Sequence, residues 1–287
     1  MIWLLLSLLS AITNSTADYC SKKSVANIDE YMVSFSWVFF ALPVVLTALI
    51  FVGMPTLSSM YWPSLISGGL LNVLALILTM KALRLSPLSL TIPMLAFTPV
   101  FTLVTSPIIL NEFPSARGVF GISLVTLGAY LLNFSNLKKG IFYPFKEMKK
   151  EKGPLLMLIV AMIFSVAANV DKVGLKSSNT IFWLVSLDLF ISSIFVILMW
   201  IRGVKISDIV IKNKKNLAPI GLFAGLSQIF QIFSITLTIV PYAVAVKRTS
   251  ILFSSLYGFA FLKETKMKQR ILAISVMVSG IVLIAIG

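Results

Sequence analysis

The sequence predicts an all-α integral membrane protein with ten transmembrane helices, arranged as two inverted five-helix repeats. Three observations carry this prediction. Of 287 residues, 58% are hydrophobic and only 12% charged, with a mean hydropathy of +0.99. A soluble domain is nearer 45–50% apolar and about 25% charged, so the solvent here is lipid. Ten apolar runs follow one another along the chain, and the second half repeats the first in a nearly constant register.

A spanning helix needs roughly 20 mostly apolar residues. The runs cover residues 2–17, 31–52, 63–82, 87–110, 114–133, 154–173, 180–201, 217–238, 241–262 and 267–287. Several open on a proline, whose missing N–H costs nothing in the first turn. The first lacks a basic n-region and a small-residue cleavage site, so it reads as a retained helix rather than a signal peptide. Residues 135–153 carry six lysines interleaved with Ile141, Phe142, Tyr143 and Phe145. They read as a linker lying on anionic headgroups or as a solvated loop. The division is a first repeat over 1–134, this linker, and a second repeat over 154–287. Residues 202–216 form a second basic segment.

Charge sets an orientation. Loops after odd-numbered spans hold 19 of the 24 Lys and Arg residues; loops after even-numbered spans hold Arg117, Lys172 and Lys176. By the positive-inside rule both termini face outward. The net charge of +14 therefore reflects membrane loops, and no nucleic-acid partner is expected.

The internal repeat appears at a shift of 152: Gly69 falls on Gly221, Phe101 on Phe253, Glu112 on Glu264 and Gly128 on Gly280. Ser10 and Asn14 echo Ser165 and Asn169 at a shift of 155. Five spans is an odd number, so two copies in one chain lie in opposite orientations, which is the inverted-repeat design of secondary transporters.

The stretch ALRLSPLSLT (82–91), the turn LNEFP (110–114) and Gly118, Gly121 and Gly128 resemble an EamA-type repeat, and Leu262, Glu264 and Gly280 resemble its second copy. The resemblance is to the drug/metabolite transporter superfamily. It implies a ten-helix permease of the cell membrane moving small metabolites: amino acids, amines, sugar phosphates or nucleotide sugars. Ten-helix members usually keep both termini in the cytoplasm, the reverse of the charge count here.

Chemistry is constrained by what is missing. There is no His and one Cys, Cys20, which removes most metal, haem and Cys/His nucleophile sites. No cofactor is expected, and no enzyme. The loop GxxxxGK[ST] is absent, so energy comes from a gradient, with the proton as a candidate coupling ion, or from the substrate itself. Oligomeric state is not legible.

Ionisable residues at membrane depth cost about 2.5–3.5 kcal/mol on insertion scales and are the leading site candidates. Lys247 and Arg248 sit inside span nine, and their repeat counterparts, Leu95 and Ala96, are apolar. The pair resembles the Lys-Arg that holds phosphate in sugar-phosphate translocators of the superfamily. Asp188, Asp171 and Lys172 lie at similar depth from the same side. The five together hold three cations and two anions, a net +1 that a bound anion could neutralise. This points to a small polar, potentially anionic, metabolite. Full pairing within the bundle points instead to an exporter of amino acids or cationic amphiphiles. An accessory or lipid-flipping subunit is a further alternative.

Gln228 and Gln231, spaced i, i+3, share a helix face and serve either as ligands or as helix glue. Asn14, Asn169 and Asn72 carry the same ambiguity. Pro93, Pro99 and Pro107 predict a broken fourth span. Tyr242 is expected at the membrane interface, Glu112 and Glu264 at helix N-terminal dipoles, and the paired glycines 68/69 and 221/225 at close helix contacts.

Overall fold

The computed structural model describes residues 1–50, 52–86, 91–132, 152–204, 206–253 and 267–286. Most of the basic linker, Glu264 and the end of span nine lie outside the described residues. The helices are α1 (Ile2–Val25), α2 (Glu30–Phe39), α3 (Leu42–Leu49), α4 (Tyr61–Leu85), a 3-10 helix (Ile92–Phe97), α5 (Thr98–Leu110), α6 (Ala116–Leu132), α7 (Lys152–Lys176), α8 (Thr180–Ile201), α9 (Ile206–Leu237), α10 (Val240–Lys247) and α11 (Met267–Ile286). Among the described residues, five helical segments are long and apolar enough to cross a membrane: Glu30–Leu49, Tyr61–Leu85, Lys152–Lys176, Thr180–Ile201 and Ile209–Leu237. Three shorter apolar helices accompany them, Met94–Leu110, Ala116–Leu132 and Leu272–Ile286.

Helix ends follow local chemistry. The Asp29 carboxylate accepts from Tyr31 N at 3.0 Å and the Asn179 side chain from Phe182 N at 2.8 Å, each satisfying an orphan N–H. Asn111 (φ 55°) closes α5 in the left-handed region, and Gly203 (φ 68°), just past α8, adopts it too, a conformation that Asn tolerates and Gly prefers.

Two expected boundaries move. The first helix runs on to Val25, past the expected end at Ala17, because its serines and threonines close bonds to their own backbone, among them Ser21 to Ala17 O at 2.8 Å. The helix containing span eight begins at Ile206, so most of the basic segment 202–216 is helical.

Packing relates the two halves. Helix α1 lies along α9, and α4 lies along α7; the sequence shifts of 155 and 152 exchange these two pairings. Serines line the α1–α9 contact: Ser7 Oγ meets Ser234 Oγ at 2.6 Å, and Ser10 Oγ meets Ser227 Oγ at 3.0 Å. In lipid, where apolar surface gives no driving force between helices, small residues and such bonds supply the adhesion. Helices α6 and α11 cross on their glycines. A Cβ on Gly121 would lie 2.7 Å from Gly280 O, and one on Gly128 would lie 2.7 Å from Ala273 O. The shift of 152 exchanges these contacts as well. A Cβ on Gly69 would strike Phe190, and one on its counterpart Gly221 would strike Phe40.

The fourth span is broken, as its prolines predict. Pro99 has no N–H to give Leu95 O; that carbonyl accepts from the Thr98 backbone N–H and, at 2.8 Å, from the Thr98 hydroxyl. The ninth span is broken too, which its sequence does not announce. Helix α10 stops at Lys247, residues 248 and 249 form a turn, and helix resumes over 250–253. Thr249 Oγ1 bonds Val246 O at 2.8 Å across this break. The shift of 152 places Arg248 and Thr249 on Ala96 and Phe97, so the interruptions fall at corresponding points.

Gly121→Ala should destabilise the protein by about 1–3 kcal/mol, since the new methyl meets backbone that cannot give way. Gly53→Ala should be neutral, because nothing lies within 4 Å of its added Cβ. Thermal unfolding of the detergent-purified chain measures both.

Candidate functional site

The breaks in spans four and nine both line a cavity of about 220 Å³. Space of that size admits many water molecules or one small metabolite. The wall is mostly apolar, from residues such as Trp37, Leu76, Leu95, Phe164, Leu187 and Ile235. Polar groups converge on it from both halves: Asn14, Asp18, Asn72, Thr79 and Thr98 from the first, Asp171, Asp188, Gln228, Gln231, Lys247 and Arg248 from the second.

Arg248 joins the breaks. One guanidinium nitrogen donates to Thr98 Oγ1 at 2.8 Å, the hydroxyl at the first break. Arg248 Nε is buried without a hydrogen-bond partner. Lys247, the last residue of α10, also faces the cavity. Asp18 accepts from Asn14 Nδ2 at 2.7 Å and lies within electrostatic reach of Arg248 and then Lys247. Asp171 faces Lys247 electrostatically.

Asp188 is different. It is 1% exposed, and neither carboxylate oxygen has a hydrogen-bond partner. Gln228 is its polar neighbour, without meeting hydrogen-bond geometry. The Oε1 atoms of Gln228 and Gln231 are likewise buried and unpartnered. Buried polar atoms are nearly always bonded in folded proteins, so these three side chains are candidates to hold a solute or water in the cavity.

The predicted site residues thus divide. Lys247, Arg248, Asp188, Gln228, Gln231 and Asn14 all line the cavity. Asn169 does not: it is fully buried between α7 and α5, donates to Thr105 Oγ1 at 2.9 Å and accepts from the Ser106 hydroxyl. Asn72 donates to Gly68 O at 2.9 Å and still reaches the cavity.

The charge balance expected from sequence is corrected in two places. Lys172 leaves the group. Its ammonium meets Glu112 Oε1 at 2.6 Å and donates to Thr238 O at 2.6 Å. Asp18 joins, because α1 carries it well inside the helix. The lining then holds three carboxylates against Lys247 and Arg248, a formal −1 in place of +1. The spacing of Asn14 and Asp18, i and i+4 on a helical face, was the available signal for Asp18.

Glu112 and Tyr242 work at one end of the bundle. Glu112 Oε2 accepts from Val240 N at 2.9 Å, so it serves the N-terminus of α10. Tyr242 is 9% exposed, not at a lipid interface. Its hydroxyl accepts from Ser115 N at 3.1 Å, and its ring stacks on Trp3 at 6.3 Å. It fits because Gly118 has no side chain; a Cβ there would come within 2.1 Å of the Tyr242 hydroxyl.

A family model described as the EamA-like transporter family matches residues 1–134 and again 151–286. The chain belongs to the EamA-like transporter family. It is therefore a multi-pass protein of the cell membrane that lives in a lipid bilayer and transports a small molecule, within the drug/metabolite superfamily. A search of curated proteins finds no match. Among solved structures, one described only as "Crystal structure of protein" aligns with a TM-score of 0.72 at 14% identity, over 99% of this chain and 96% of that one. Such a likeness shows that this EamA-like transporter shares that fold.

Glu112→Gln should cost about 2–4 kcal/mol, because it strands Lys172 in a low-dielectric setting. Adding Lys172→Met should recover a large part of that loss. A double-mutant cycle on thermal unfolding of the purified transporter measures the coupling.

Proposed function

We propose that this chain is a secondary transporter of a small polar metabolite. It works by alternating access around the cavity where the two broken helices meet. The observation that carries the reading is the coincidence of the breaks: interrupted segments at corresponding points of two repeats mark the midplane binding site of inverted-repeat transporters. The repeats then cross the membrane in ten spans, in opposite orientations. The linker 135–153 lies on the cytoplasmic surface and both termini lie outside, in line with the Lys/Arg distribution.

The substrate contacts are Lys247, Arg248, Asp188, Gln228, Gln231 and Asn14. The anionic reading loses its support once the formal charge of the lining is no longer positive. The balance favours a solute that carries a positive group, which is the amino-acid and cationic-compound alternative. Arg248 and Lys247 each have a carboxylate within electrostatic reach, Asp18 and Asp171. Asp188 has no cation of its own among the described residues. A carboxylate buried without a counter-charge is too costly to stand alone, so it holds either a proton or the cationic group of the substrate. That alternation supplies a coupling to the proton gradient.

Reconstitution into liposomes tests this. Uptake of labelled amino acids or amines against unlabelled internal solute should be at least tenfold above empty vesicles. Asp188→Asn should abolish it, while Ser123→Ala, an exposed position, should leave it unchanged. Uptake confined to phosphorylated or other anionic solutes, or uptake unaffected by Asp188→Asn, would overturn the reading.

A further inference from the structure

We propose that Asp18 is the charge-selectivity residue of the cavity: it occupies the Lys247–Arg248 pole as an internal anion and so denies that pole to anionic solutes. The inference rests on the transport reading above and adds to it a residue that neither the repeat nor the candidate list supplies.

The argument begins with geometry. Lys247 and Arg248 place two cationic side chains at one break, on the cavity wall. Left alone, an ammonium beside a guanidinium fork is a phosphate and carboxylate binder. Asp18 enters the same cavity from α1. Its carboxylate is held by Asn14 Nδ2 at 2.7 Å, which fixes the rotamer from one helical turn away. Among the described residues no direct ion pair joins it to either cation. The negative charge is therefore spread over the pair rather than consumed by one member. An incoming phosphate would meet that carboxylate and Asp171 on the same cavity wall, and like charges repel more strongly in a partly buried setting than in water.

The repeat does not demand this arrangement. At the shift of 155, Asn14 has its counterpart in Asn169, but Asp18 falls on Val173. Asn169 spends its side chain on Thr105 and Ser106, while Asn14 spends its amide on Asp18. The first copy has thus turned a packing asparagine into a support for a carboxylate, on the helix that crosses the cation pole. A helix bond alone is an insufficient reason for Asp18, because α1 continues for seven more residues beyond it.

The test uses the full chain in detergent and two probes, inorganic phosphate and n-propylamine, with binding measured by isothermal titration calorimetry. The parent should bind the amine and bind phosphate at least tenfold more weakly. Asp18→Asn should tighten phosphate at least tenfold and Asp18→Glu should keep the parent preference. Adding Lys247→Gln to Asp18→Asn should remove the gained phosphate binding. Asp18→Ser provides a second neutral variant if Asp18→Asn unfolds. A folded Asp18→Asn chain with no gain in phosphate binding overturns the proposal, as does a parent that already binds phosphate as tightly as the variant. If the parent binds neither probe while Asp18→Asn binds phosphate, the role of Asp18 stands and the cationic-substrate reading above falls.

Discussion

Every fixed charge inside lipid must meet an opposite charge, and this requirement organises the molecule from its ends to its centre. Lys172 and Glu112 meet directly at 2.6 Å, and their contact holds the turn after α5 against the start of α10. Deeper in, the cavity spreads its charges over three helices of the second half and one of the first. The pairing there is looser, through electrostatic reach rather than ion pairs. Loose pairing suits a site that exchanges ligands, because a tight internal bridge must be broken before a solute can bind. Asp188 is the residue left over: neither of its carboxylate oxygens has a hydrogen-bond partner.

A second constraint, satisfaction of backbone groups in the absence of water, explains where the helices can break. Irregular backbone at membrane depth is tolerated only where protein or a cavity covers it. Thr98 gives both its backbone N–H and its hydroxyl to Leu95 O, Thr249 does the same for Val246 O, and Arg248 links these breaks through Thr98. Arg248 therefore carries both a cavity-facing charge and a hydrogen bond between the repeats. Elsewhere the serine seam between α1 and α9 and the glycine crossing of α6 and α11 hold helices in close contact.

Much of this was legible in the sequence. Apolar run length located the helices, and a repeat spacing that kept Glu112 on Glu264 exposed the two halves. Burial cost singled out Lys247, Arg248 and Asp188 as cavity residues before any contact was known. The i, i+3 spacing of Gln228 and Gln231 put both on the lining. What was hidden was hidden for physical reasons. Asp18 lies in a stretch whose serines and threonines lower the mean hydropathy, so the first span seemed to end at Ala17. In the fold those side chains bond their own helix or α9, and the helix continues. The break after Lys247 contains neither Pro nor Gly; it depends on Thr249 and on packing across the bundle. Lys172 was grouped with the site by depth alone, whereas its partner, Glu112, comes from a turn on another helix. Asn14 and Asn169 are equivalent in the repeat, and only their neighbours, Asp18 against Thr105 and Ser106, decide which one serves the cavity.

The central claim is that Asp188 is the uncompensated anion that receives the positive group of the solute. The most direct measurement is a structure of the purified chain with a primary amine bound, determined alongside the Asp188→Asn variant under the same conditions. The account predicts density for the amine between Asp188, Gln228 and Asp171 in the parent and none in the variant. Density at the Lys247–Arg248 pole alone, or an amine held equally by the variant, would contradict it.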